Sequence, residues 1–164
     1  MEIKNDIVHD SYYLINLFAN DKKSVTQLQV QKLMYFFEAF YMNLKDVNSL
    51  YECPFKAWAF GPVAIPLYKR YKNLGNSDIV LTSEEQKIGN SINNEKKNIL
   101  KEIYDVFGKN LSAMQLVNYT HLKGSPWDIK WNANNKRVIY GDDSNIDKLE
   151  TKKWFKETFL KSND

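Results

Sequence analysis

At 164 residues, 43% apolar and 26% charged, the chain suits one domain with a single core and is too apolar to be disordered. Its formal net charge of +3, from 23 Lys and Arg against 20 Asp and Glu, is too small to argue for a nucleic-acid partner, and its one cysteine, Cys53, excludes an internal disulfide. The start, MEIKNDIVHD, lacks a signal-peptide pattern, and the longest apolar run, LMYFFEAFYM, is broken by Glu38 and too short to span a bilayer, so a cytoplasmic protein without a membrane partner is expected.

Ile3, Ile7, Leu14 and Phe18 share one helical stripe, which predicts an amphipathic helix over residues 3–19. Thr26 and Gln29 have capping-box spacing, flanked by Val25 and Val30 as a hydrophobic staple, so a second helix should start at about Gln27. Its Val30, Leu33, Phe37, Tyr41 and Leu44 form one face, and Met34, Phe36 and Phe40 widen it, as in a helix central to a core. Residues 55–60, FKAWAF, alternate like a short strand that ends at Gly61-Pro62, with its large residues, Trp58 among them, expected to pack on Phe37 and Tyr41. Pro66 suits the first turn of a helix carrying Leu67, Tyr68, Tyr71 and Leu74 and stopping at Gly75.

DIVL, residues 78–81, reads as a second strand pairing with the first. Thr82 and Glu85 form another capping box, and residues 83–107 read as helical, in one helix or two, because the Asn-rich GNSINN is a weak helix former. Ser112 and Gln115 repeat the box, with Leu111 and Leu116 as a staple, and Ser125-Pro126-Trp127-Asp128 has the cap, first-turn proline and acid of a helix start. RVIYGDD reads as a brief extended segment, and a last helix runs from about Lys148 to Leu160 with Leu149, Phe155 and Phe159 as packing residues, leaving 161–164 as a frayed tail. The expected fold is mainly α: a compact single-domain helical fold over residues 1–164 with a small β element near residues 55–60.

The chemistry on offer is sparse. Two histidines, His9 and His121, and one cysteine cannot build a zinc cluster, and no nucleophile or phosphate-loop motif occurs, so neither metal, cofactor nor catalytic residues are expected. An enzyme would require acids such as Glu38, Glu52 and Asp128 to converge in a cleft. Cys53 is expected half-buried, and His9 solvated. The basic run YKRYK could hold a nucleic-acid backbone through Lys69, Arg70 and Lys72, but a helix with Tyr68 and Tyr71 turned to the core and its cations in water explains the same residues.

VTQLQVQKLMYF, FKAWAFGPVAIPLYKRYK and LSAMQLVNYTHLKGSPWD, followed by KKWF in the last helix, together resemble the Panacea domain of SocA-like antitoxins and phage-associated GepA-like proteins. The motif residues are Gln31, Lys32, Leu33 and Tyr35; Trp58, Gly61, Pro62 and Val63; and Ser125, Pro126 and Trp127. The resemblance implies a bacterial, archaeal or phage antitoxin that neutralises a toxin encoded beside it by direct binding, with delivery of a bound protein to a protease, or nucleic-acid-binding regulation, as alternatives. It leaves no room for the extra DNA-binding segment of some members, and GNSINNEKKN is longer and more polar than the family pattern. The expected partner surface is the neighbourhood of Trp127, His121 and Asp128 with the Gly61-Pro62 corner and Tyr68, Trp127 serving as an aromatic anchor on a stiff loop, although a buried Trp127 that locks the last helix explains the same residues.

Overall fold

The computed structural model describes residues 5–161, and the expectations for Ile3 and for residues 162–164 lie outside them. The first helix, α1, spans Ile7–Asn20 and is capped by Asp6, whose Oδ1 accepts from the Val8 and His9 amides at 2.9 and 3.1 Å. The second, α2, spans Gln27–Lys45 and starts where the Thr26–Gln29 box places it, with Gln29 Oε1 accepting from Thr26 N at 2.9 Å. Val30, Leu33, Met34, Phe36, Phe37, Ala39 and Met42 are wholly buried, so α2 is the axis of the core, while Leu44 at its end is exposed.

Two strands follow, β1 Phe55–Trp58 and β2 Gly61–Ala64, paired antiparallel with Phe55 opposite Ala64 and Trp58 opposite Gly61. Gly61-Pro62 therefore opens the second strand instead of ending the sheet. Residues 78–81 are not a strand. Both outer edges of the hairpin are already occupied: the Gln31 side chain pairs with Ala64 on β2, and the Ile146 amide donates to Phe55 O on β1 at 2.8 Å. Ile79 instead donates to Val25 O at 2.9 Å and packs in the core. RVIYGDD, read as a brief extended segment, runs at its end into a short 3-10 turn at Asp142–Ser144, and Asn145 just after it bridges to Lys56.

Helix α3, Ile65–Tyr71, carries Pro66 in its first turn and runs through a tight turn at Lys72–Leu74 to Gly75. Residues 83–107 form two helices, α4 Ser83–Asn90 and α5 Asn94–Ile103, because Asn93 caps a new start by accepting from Lys96 N at 2.8 Å. A wider, π-type turn at Tyr104–Gly108 follows α5. Then come α6 Ala113–Thr120, α7 Pro126–Ala133 and α8 Lys148–Phe155, the last extended by a π-type turn at Lys156–Leu160. Phe155 joins Phe36, Phe107 and Phe159 in an aromatic cluster, with ring centroids 4.9–6.3 Å apart. Leu149 is exposed and does not pack as expected. The fold is mainly α, and none of the described helices is long and apolar enough to cross a membrane.

Two ion pairs on buried carboxylates tie distant parts of the chain to the helices. Asp10 on α1 accepts from Lys96 Nζ at 2.9 Å and from the Tyr51 hydroxyl at 2.6 Å. Glu38 on α2 accepts from Lys148 Nζ at 2.7 Å and from the Leu50 and Tyr51 amides at 3.1 and 2.8 Å. Each carboxylate gathers several donors, which is what permits its burial.

Helices α1 and α4 approach at Gly89, where an added Cβ would lie 2.7 Å from the backbone of Tyr12 and Tyr13. Asn16 fixes the same crossing by donating to Gln86 O at 3.0 Å. Gly89→Ala should therefore push α4 off α1 and destabilise the fold by about 1–3 kcal/mol, read from denaturant unfolding. Parent-like stability would mean the crossing is looser than this packing.

Candidate functional site

The sequence blocks QKL, AWxxGPV and SPW meet at one place. Gln31 lies on α2 against β2 and copies a neighbouring strand: its Oε1 accepts from Ala64 N at 2.9 Å and its Nε2 donates to Ala64 O at 3.1 Å. One turn position on, Lys32 is wholly buried, and its Nζ donates to Pro62 O at 2.8 Å. Gly61 makes this approach possible. It has a φ of +110°, and a Cβ there would sit 2.7 Å from Lys32 Cε and 2.8 Å from Thr120 Oγ1. Only glycine lets the hairpin turn lie on the lysine stem and α6 at once.

The third block locks the hairpin from the other side. Ser125 caps α7, accepting from Asp128 N at 3.1 Å while donating to Thr120 O at 2.7 Å. That cap sets Trp127, whose Nε1 donates to Trp58 O at 2.7 Å. The Trp127 ring stacks on His121, centroids 3.6 Å apart and planes 5° apart, and with Ala57 and Ile146 it forms a small satellite core. His121 Nε2 is buried without a hydrogen-bond partner among the described residues. Burial, and then the nearby Lys32 charge, lower the pKa of His121 against the opposing pull of Asp128.

The two tryptophans exchange their expected places. Trp127 is 6% exposed, so the expected exposed anchor is instead a buried lock. Trp58 is only half-buried and does not pack on Phe37 and Tyr41; the buried face of β1 is Phe55 and Ala57, with the Phe55 ring against Tyr35 at 5.2 Å. The alternation FKAWAF was right in period, but the small Ala57 lies inward because Trp127 fills the space beside it. Tyr68 is likewise 39% exposed and not turned to the core, whereas Tyr71 is buried and bonded to Ser11 at 2.6 Å.

Trp58 and Tyr68 meet edge to face, 5.0 Å apart, and wall an apolar cleft of about 530 Å³. Leu28, Phe60, Met114 and Val138 complete its sides, and Gln31 and Lys32 form its floor. Phe60 is 63% exposed and Met114 54%, and among the described residues no Asp or Glu lines the cleft. Phe60, Met114 and Val138 were missed from the sequence. Phe60 alone left a signal, as a large apolar residue in a two-residue hairpin turn where polar residues are usual.

Other candidates are committed elsewhere. Leu33 is core, Tyr35 bonds Thr151 Oγ1 at 2.9 Å, and Pro126 is buried. Asp128 accepts from Gly124 N and Asn132 Nδ2, each at 2.9 Å. Glu38 is held by its buried donors, and Glu52 is exposed beside them. Cys53 is half-buried, and burial pushes its thiol pKa up. Arg70 pairs with Glu85 and bonds Tyr12, which removes the central cation from the YKRYK run. Among the described residues no group of three His, Cys, Asp or Glu side chains could hold a metal ion.

Trp127→Ala should cost about 3–5 kcal/mol of stability, and Trp58→Ala only roughly 1–2 kcal/mol, read from chemical unfolding; the reverse order would contradict the assignment of lock and wall. Burial also lowers the Lys32 ammonium to about 7 from the ordinary 10.5. Between those values the unfolded chain holds a proton that the folded chain has lost, so this group makes stability rise with pH, by at most about 1.4 kcal/mol per pH unit. Lys32→Met should remove that contribution: unfolding at pH 7 and 9 should show a smaller rise for the variant than for the parent. An equal rise would show that Lys32 keeps its ordinary pKa in the folded chain.

A model of the family described as antitoxin SocA-like, Panacea domain, matches residues 30–128, more than half of the chain. No match was found among the curated proteins or among the solved structures. The matched span runs from the buried start of α2 through the hairpin to the cap of α7, and so contains all three blocks that converge on Lys32. The chain belongs to the antitoxin SocA-like, Panacea-domain family.

Proposed function

We propose that the chain is the antitoxin of a toxin–antitoxin pair, acting in the cytoplasm by binding its cognate toxin directly, without catalysis of its own. Family membership carries this reading. The cleft between Trp58, Phe60, Tyr68 and Met114 supports it as the contact surface, since large apolar side chains around a rigid hairpin turn are what an interface core needs. The hairpin is held at both edges and by Trp127, so these side chains lose little further freedom on binding. Of the residues expected to touch the partner, Tyr68 lines this surface, whereas Gly61 and Pro62 are buried beneath the hairpin turn, and Trp127, His121 and Asp128 support it from behind.

Co-expression with the protein encoded beside it tests the proposal. The parent chain should restore growth and co-purify. Phe60→Glu and Tyr68→Glu should leave the melting temperature near the parent's and lose both rescue and co-purification. Full rescue by the two variants would move the contact to another face, and no rescue by the parent would overturn the antitoxin reading.

A further inference from the structure

Two lysines, Lys32 and Lys96, are buried in this fold and a third, Lys148, is part-buried, and they are not alike. Lys96 has Asp10 at 2.9 Å, and Lys148 has Glu38 at 2.7 Å. Lys32 is the most deeply buried of them, yet among the described residues it has no carboxylate partner, only the carbonyl of Pro62. A buried ammonium with one neutral acceptor is poorly compensated, and an opposite charge brought to it gains in proportion. Lys32 is also in the floor of the cleft, where among the described residues it is the one Lys or Arg and no acid lines the walls. The cleft thus has apolar sides and, beneath them, a lysine with no opposite charge beside it among the described residues.

We propose that the cleft receives an acidic side chain of the protein partner, flanked by apolar residues, which ion-pairs with Lys32 while its neighbours pack on Trp58, Phe60 and Met114. An acidic side chain fits better than a chain terminus, because capture of a terminal carboxylate uses a nest of backbone amides, whereas beneath this cleft lie the Lys32 side chain, bonded to Pro62 O at rest, and the Gln31 amide, already spent on Ala64. The lysine stem is flexible enough to turn its head toward the incoming acid while its methylenes stay packed. The pairing rests on the reading of the cleft as the partner surface, and it adds a requirement that shape alone does not make: the partner segment carries Glu or Asp at the point of deepest insertion.

The test uses the isolated chain, labelled at its methionine methyl groups, titrated with the peptide acetyl-Ala-Leu-Glu-Phe-Ala-amide and with its Gln counterpart. The Met114 methyl signal reports occupancy of the cleft. The Glu peptide should bind at least about tenfold more tightly than the Gln peptide, as expected for a hydrogen bond between charged groups. Lys32→Met should erase that preference, and the Gln peptide with a free C-terminus should bind no better than the blocked one. If Lys32→Met does not fold, the Lys32 side-chain carbon signals of the parent serve instead, and they should move with the Glu peptide and not with the Gln peptide. Equal binding of the two peptides, binding of neither, a preference that survives Lys32→Met, or Lys32 signals indifferent to the acid would each overturn the proposal. A Glu preference together with unimpaired growth rescue by Phe60→Glu would keep the acid site and remove the toxin from it. Loss of rescue with no Glu preference would keep the toxin contact and remove the acid.

Discussion

The Lys32–Pro62 hydrogen bond sets the constraint on which the rest of this site depends. A lysine stem wholly inside the fold needs an acceptor at its end, and the one it has is a carbonyl on β2. To bring that carbonyl within 2.8 Å, the hairpin must turn directly over the stem, which requires the positive φ and missing side chain of Gly61. The strand that follows must then be held from α2, which Gln31 does, and the strand that precedes must be held from α7, which Trp127 does. The three sequence blocks are thus one mechanical unit, distributed over α2, the hairpin and α7.

That unit differs in kind from the other buried charges. Asp10 and Glu38 each draw in a lysine and further donors from distant parts of the chain, so their role is to join α1 to α5 and α2 to α8. Replacing such a pair with apolar residues of similar volume is often tolerated, whereas a lone buried cation has no internal gain to offset its desolvation. Its presence under an open apolar cleft accords with a surface completed by another molecule. The exposed Phe60 and Met114 belong to the same picture, since large apolar side chains grouped around one depression exceed the scattered exposed residues of an ordinary surface.

Local features of the fold were legible in the sequence because they are set by neighbours in the chain. The Thr26–Gln29, Thr82–Glu85 and Ser112–Gln115 boxes, the Ser125 cap and the stop at Gly75 lie where the spacing puts them. What escaped depends on contacts far apart in sequence. The partner of β1 was misassigned to residues 78–81, because nothing local reveals that Gln31 and Ile146 occupy the hairpin edges. Trp58 and Trp127 exchanged roles for the same reason: the period of a strand fixes alternate faces, but which face is inward is decided by the residue that fills the space beside it. The break at Asn93 does not show in the sequence, because an asparagine can either weaken a helix or cap a new one. Gln31, Lys32 and Gly61 stand in separate blocks of the sequence, and their joint geometry, a buried lysine under a hairpin turn, needs three dimensions to be seen.

Amide hydrogen exchange of the chain alone and bound to the protein encoded beside it tests the central claim most directly. Slower exchange on binding should centre on the hairpin turn at residues 58–61 and extend to Tyr68 and Met114, where the cleft would be covered. Unchanged exchange there, with new protection on α4 and α5 instead, would contradict the assignment of the Lys32 cleft as the surface on which this antitoxin-family chain meets its partner.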